Sequence, residues 1–222
     1  MKELINISAK NKIFLIPWFL FIIITVFFLI IYEKAEIHIF INTYHNSFFD
    51  FFFKFWTHLG DGLFAVLIII ILLFIQYKQA IITTVSFLFT AITIQILKAV
   101  INNPRPKFFF QYFYEGNYNL HFVEGAEPGN LYSFPSGHSA SAFTIFLLLA
   151  LFVKKQYLKF IFFVIALLAA LSRVYLSWHF LEDIVVGSVI AVFFTLIIYR
   201  ILNKSKRTGL DSSILKSLKR KV

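Results

Sequence analysis

The 222-residue chain has no cysteine, and only 14% of it is Asp, Glu, Lys or Arg. Without cysteine, disulfides, thiolate zinc sites and cysteine nucleophiles are excluded. So little charge excludes an ordinary soluble domain, which averages about 25% charged and about 45–50% apolar residues. Internal repeats and low-complexity linkers are also lacking, so residues 1–222 read as a single domain. The first apolar run, Ile13 to Tyr32, has no small-x-small cleavage site after it and is about twice the length of a signal-peptide core. It reads as a retained membrane helix.

What is present is apolar bulk. Hydrophobic residues make up 59% of the chain and 31 of its residues are phenylalanine. A bilayer accommodates that composition, and a soluble core of this size does not. The expected class is an all-α integral membrane protein. A crossing needs roughly 20 apolar residues, and six runs approach that length: 13–32, 63–77, 80–101, 138–153, 157–176 and 183–202. The second and fourth are short, and are expected to extend through neighbours such as Leu59 or Phe134.

Six crossings put both termini on one side, and the lysine and arginine bias says which. Lys34, Lys54, Lys98, Arg105, Lys107 and Arg173 fall on the outer side; the other 15 of the 21 basic residues fall with the termini. The expected placement is the inner (plasma) membrane, with cytoplasmic termini and an outer, periplasmic site. The net charge of +10 therefore follows topology. The basic 203–222 tail is expected to fray or to lie on anionic lipids, and nucleic-acid binding is not expected. Of the outer segments, 33–60 carries the aromatic stretch "NSFFDFFFKFWTHLG", suited to an interfacial helix. The second, 102–136, is long for a membrane hairpin and is expected to form a lid.

Three polar clusters fall at the outer ends of the later helices. In "LKAVINNPRP", Lys98 closes a helix and Arg105 sits between two prolines that hold it off the helix. Alone, these read as snorkelling cations. In "PSGH", Ser136 can cap a helix and Gly137 lets a ligand approach free backbone N–H groups, with His138 alongside. Alone, this is an ordinary capped helix start with small residues for packing. In "SRVYLSWHFLED", Arg173 is costly at the membrane boundary without an anionic partner. His179 and Asp183 share a face if the segment is helical, so the carboxylate can hold the imidazole; Glu182 is expected to be solvated. Together, three cations, a helix N-terminus and two histidines describe a site that binds an oxyanion and offers it a proton. His58, Gly60 and Asp61 in "THLGDG" read as a polar helix opening or a headgroup contact. His121 is expected to be solvated, and Trp56 and Trp178 to lie in an interfacial belt, Trp178 with the option of packing beside His179.

These residues resemble the type 2 phosphatidic acid phosphatase superfamily, also known as the lipid phosphate phosphatase and vanadium haloperoxidase superfamily. Its pattern, K-x6-RP, PSGH and SR-x5-H-x3-D, is matched at Lys98 to Pro106, Pro135 to His138 and Ser172 to Asp183. The resemblance implies a phosphatase with no metal or other cofactor that passes through a phosphohistidine. His179 is the implied nucleophile, oriented by Asp183. His138 protonates the leaving oxygen and then activates water. Lys98, Arg105, Ser136, Gly137 and Arg173 hold the phosphoryl oxygens. The implied substrate is a lipid phosphate or pyrophosphate: undecaprenyl pyrophosphate, phosphatidylglycerophosphate, phosphatidic acid and a lipid A phosphate all fit. Alternatives are a lipid phosphotransferase using the same phosphohistidine and a non-catalytic lipid-binding or transport protein.

Overall fold

A computed structural model of the chain describes residues 2–116, 118–205 and 209–219, which contain helices and no strand. Asn117 of the long loop and the tail cations Lys206, Arg207, Arg220 and Lys221 lie outside the described residues. The elements are α1 (Lys2–Lys10), α2 (Lys12–Ile31), α3 (Lys34–Thr43), α4 (Ser47–Trp56), a 3₁₀ turn (Thr57–Gly60), α5 (Gly62–Ile75), α6 (Tyr77–Ile101), α7 (Pro106–Tyr112), α8 (Gly137–Phe152), α9 (Gln156–Tyr175), α10 (Leu181–Asn203) and α11 (Ile214–Lys219).

Each of the six apolar runs is occupied by a helix whose ends fall within three residues of those expected. The six are not equivalent crossings. By length and composition, four helical spans among the described residues are long and apolar enough to cross a membrane: α2, α6 continued into α7, α9 and α10. A fifth arises if the Ser47–Gly60 segment and α5, bent by 55° at their junction, count as one. With 14 residues, α5 alone is about 21 Å long, short of the roughly 30 Å hydrocarbon thickness. Leu59 does not lengthen it, because the chain breaks at Asp61, which is extended at φ −74°, ψ 152°. Nor does Phe134 lengthen α8, which has 16 residues and is capped at Ser136.

Short length suits α8, because protein rather than lipid surrounds it. Every residue from Ser139 to Leu148 is buried, between α6, α9, α10 and α5. Small residues allow this: Ala140 and Ala142 on α8 face a core containing Ala166, Ala169 and Ala170 of α9 and Ala191 of α10. Close backbone approach of this kind replaces the hydrophobic drive that lipid removes. Gly187 marks the tightest crossing; a Cβ there would lie 2.5 Å from the Ser136 carbonyl oxygen. By contrast α2 presents its flank outward, with Phe19, Ile24 and Phe27 at 57, 55 and 58% exposed. A contiguous apolar face of that kind belongs against acyl chains.

Helix ends α6-C, α8-N, α9-C and α10-N gather at one end of the bundle, near α3, α4, α7 and residues 118–136. Residues 121–126 of that segment are pinned. Asn42 contacts the backbone of His121 through both ends of its amide, at 3.0 and 2.9 Å, Lys54 donates to the Glu124 carbonyl at 2.6 Å and Trp178 to that of Ala126 at 2.7 Å. His121 is not simply solvated: it contacts Asp50 at 2.9 Å and stacks on His45. Trp56 also turns inward, donating to the Ile165 carbonyl at 3.4 Å. At the opposite end, the described part of the tail does not fray. The first free N–H groups of α6, at Tyr77 and Lys78, donate to the carbonyls of Ser212 and Leu210, each at 2.9 Å. Helix N-terminal donors need such acceptors, and the tail supplies them.

Candidate active site

Lys98 occupies the last turn of α6 and is buried. Its ammonium is held by the carbonyls of Tyr132 and Ser133. The helix stops at Asn102 in the left-handed region (φ 47°), and Pro106 opens α7 at its first position, where a missing N–H costs nothing. Arg105 is left extended between the two, as the N-cap of α7. Its Nε donates to the Leu131 carbonyl at 2.8 Å, while Nη1 is buried without a hydrogen-bond partner among the described residues.

Ser136 caps α8, its hydroxyl accepting from the Ser139 N–H at 3.3 Å. Its own N–H donates to the Asp183 carbonyl at 3.0 Å, tying the start of α8 to α10. The side chain is fully buried and is not among those lining the site's cavity, although its hydroxyl keeps an O–H to donate. Gly137 follows, with room in front: an added Cβ would meet only Ile94, at 3.7 Å. His138 pairs through Nε2 with Asp61.

Arg173, in the last turn of α9, is 3% exposed and donates from Nη1 to the Thr57 hydroxyl at 2.7 Å. Its Nε is buried without a hydrogen-bond partner among the described residues. After α9 the chain turns at Leu176–Phe180, with Ser177 at φ 56° and the N–H groups of Trp178 and His179 both donating to the Arg173 carbonyl. His179 thus stands before α10, not on it. The pair with Asp183 forms because Asp183 is the third residue of α10 and folds back as a cap. Its Oδ2 accepts from the Phe180 N–H at 2.9 Å, lies 3.2 Å from His179 Nδ1 and accepts from the Ser133 hydroxyl at 2.6 Å. With Nδ1–H donating to Asp183, the lone pair of a neutral His179 is on Nε2. Glu182, expected to be solvated, instead meets Lys34 at 3.3 Å.

A cavity of about 470 Å³ is lined by Lys98, Arg105, Gly137, His138, Arg173 and His179, among others. Six of the eight expected site residues therefore meet in one space, with Asp183 supporting His179 from behind and Ser136 supporting the helix start. The Trp178 ring lies between two guanidiniums, 4.8 Å from that of Arg105 and 4.5 Å from that of Arg173. The ring thus packs against both cations. Burial, reinforced by Arg173, Lys98 and Arg105, holds the His179 imidazole well below its ordinary pKa. A neutral imidazole facing two arginines with unpaired buried donors is equipped to receive an anion and to attack it.

Sequence reasoning missed three supporting residues and gave a fourth, Asp61, only as part of a polar helix opening or headgroup contact. Thr57 and Asp61 come from a segment distant in sequence, Ser133 precedes the second motif, and Tyr132 contributes only its backbone and its place in the lining. The polar "THLGDG" stretch was the one available signal, and it carried no indication of which helix it would meet.

Over 130 residues, 49% of this chain, the sequence is 29% identical to "Probable lipid phosphate phosphatase 4" of Arabidopsis thaliana; the aligned stretch spans 42% of that plant protein. The crystal structure of Aquifex aeolicus LpxE superposes with a TM-score of 0.66 at 27% identity, over 74% of this chain and 93% of the other. That of a transmembrane PAP2-type phosphatidylglycerolphosphate phosphatase from Bacillus subtilis gives 0.63 at 22% identity, over 87% and 98%, a likeness of fold. Residues 79–207 match the sequence profile of the PAP2 superfamily, a stretch running from the start of α6 past the end of α10 and including all three motifs, so the chain belongs to that superfamily.

Proposed function

We propose that the protein is a multi-pass membrane phosphatase that hydrolyses a lipid phosphate or pyrophosphate through a phosphohistidine on His179. The observation that carries the reading is the cavity wall itself. Lys98, Arg105 and Arg173 line it together with both histidines, and the two arginines keep buried N–H groups unpartnered. Buried donors without acceptors are costly, and phosphoryl oxygens satisfy such donors in the fork geometry arginine favours.

In this reading His179 Nε2 attacks phosphorus in line with the lipid oxygen. The P–N bond forms as the P–O bond breaks, and His138 gives its proton to the departing oxygen. Water then attacks the phosphohistidine, His138 takes a proton from it, and phosphate leaves as the P–N bond breaks. Asp183 stabilises the positive charge on His179 in between. The three cations and the free N–H groups at the start of α8 meet the charge on the equatorial oxygens, a task magnesium performs in other phosphoryl-transfer enzymes. Six crossings, an inner-membrane location, cytoplasmic termini and an outer-face site covered by residues 102–136 complete the proposal, supported by the basic-residue asymmetry.

The test is phosphate release by purified protein from undecaprenyl pyrophosphate, phosphatidylglycerophosphate, phosphatidic acid and a lipid A phosphate, each with chelator and with or without an acceptor lipid. Free phosphate from at least one lipid, with chelator and without acceptor, is expected. Turnover only when acceptor is present supports a phosphotransferase, and turnover abolished by chelator and restored by magnesium contradicts the electrostatic account.

A further inference from the structure

The stretch Thr57–Asp61 lies outside the part of the chain that matches the family, residues 79–207, yet it touches two residues of the cavity. From it, Thr57 receives the Arg173 guanidinium. At its end, one carboxylate oxygen of Asp61 contacts His138 Nε2 and the other contacts His58 Nδ1 at 2.6 Å. The placement is built into the backbone. A side chain at Gly60 would put its Cβ 2.8 Å from the His138 carbonyl oxygen, so only glycine lets the 3₁₀ turn lie this close to the first turn of α8. The chain then breaks at Asp61 before α5 begins, which directs the carboxylate at the imidazole rather than along a helix.

We infer that Asp61 is the positioning residue of His138, forming a second carboxylate–histidine pair across the cavity from Asp183 and His179. The inference rests on the phosphatase reading and adds a residue to it. With Nε2–H committed to Asp61, the ring exchanges its working proton through Nδ1. In the first step the imidazolium gives the Nδ1 proton to the lipid oxygen as the P–O bond breaks, and the neutral ring keeps Nε2–H on Asp61. In the second step Nδ1 accepts a proton from the attacking water, and the carboxylate stabilises the imidazolium that results. Asp61 never carries the transferred proton; it fixes the tautomer and favours the charged form. The two pairs thus divide the work. The buried Asp183 pair, 1% exposed at the carboxylate side chain, supports the attacking base, whereas the Asp61 pair, about 30% exposed at both side chains, supports an acid that must trade protons with water.

The test compares wild type, Asp61→Asn and Asp61→Glu on two substrates: a long-chain alkyl phosphate, whose leaving alkoxide needs a proton, and 4-nitrophenyl phosphate, whose phenolate needs little help. Burst amplitude with the aryl substrate counts competent sites, so rates are read per folded site. General acid catalysis is worth about 10²–10⁴-fold, and a large part of it is expected to vanish with the carboxylate. Asp61→Asn should lower kcat on the alkyl phosphate by at least about tenfold with KM little changed. Its aryl burst rate should fall by less than about threefold, and Asp61→Glu should recover most of the alkyl activity. Equal losses on both substrates, no loss on either, or disappearance of the burst in both variants overturns the assignment of Asp61. A wild type that releases phosphate from neither substrate instead refutes the phosphatase reading, and the positioning role goes with it.

Discussion

At the residue scale, the site depends on single atoms of support. One oxygen of Asp183 serves three neighbours: the Ser133 hydroxyl, the Phe180 N–H and His179. Ser133→Ala removes the shortest of these and leaves the carboxylate partly unsatisfied in a buried place, a loss worth about 1–3 kcal/mol. We expect kcat to fall about tenfold with KM unchanged, as for a group that orients the nucleophile without touching substrate. A rise in KM at constant kcat would assign Ser133 to substrate binding instead. His38 gives a separate, pH-dependent prediction. It lies outside the membrane-spanning helices, against the rings of Phe110 and Phe180, with Nδ1 unpartnered among the described residues. Burial lowers its pKa from 6.5 to about 3. Between those values the unfolded chain binds a proton that the folded chain refuses. The contribution is therefore complete above pH 6.5 and is lost as pH falls toward 3, by at most about 1.4 kcal/mol per pH unit. Melting midpoints in detergent from pH 7 to 4.5 should fall more steeply for wild type than for His38→Gln. Parallel curves would show that His38 is protonated in the folded state.

At the scale of elements, glycine placement is as consequential as the motifs. Gly187→Ala would set a Cβ 2.5 Å from the Ser136 carbonyl oxygen, a clash with backbone that no rotamer change relieves. Overpacking of this kind costs about 1–3 kcal/mol. Moving α10 away from the start of α8 also separates the segment carrying Asp183 from the one carrying His138. Both melting midpoint and kcat should drop, whereas a variant with normal stability and activity would show that the α8–α10 crossing is looser than described. The apolar runs announced where helices occur, because twenty consecutive apolar residues have few other fates. Spacing within the motifs announced the candidate residues, since Lys98 to Arg105 and His179 to Asp183 are local. The contacts from 57–61 were not legible. Thr57 reaches Arg173 over 116 residues of sequence, and nothing in "THLGDG" specifies a partner. Likewise the four-residue spacing of His179 and Asp183 suggested one helical face, whereas the chain uses it as a turn closed by a cap.

At the scale of the whole molecule, both the unequal helices and the charge distribution bear on where the chemistry occurs. A short, buried α8 lets its N-terminus sit below the rim formed by α3, α4 and α7, and it carries Gly137 and His138 into a protein-lined space. Topology can be read without background because the chain has no cysteine. Cysteine introduced at exposed Gly129, where an added Cβ would meet nothing within 4 Å beyond its chain neighbours, should react with an impermeant thiol reagent in intact spheroplasts. Cysteine at Ser205 should react only after permeabilisation. The reverse pattern would move the site, and the substrate leaflet, to the cytoplasmic side. The central claim is that phosphate passes through His179, and trapping that species tests it most directly. With ³²P-labelled 4-nitrophenyl phosphate, whose phenolate leaves with little help from an acid, His138→Ala should accumulate protein-bound label that survives base and is released by acid, because no base activates water to remove it. His179→Ala should carry none. Label retained in His179→Ala, or label stable to acid, would contradict the account.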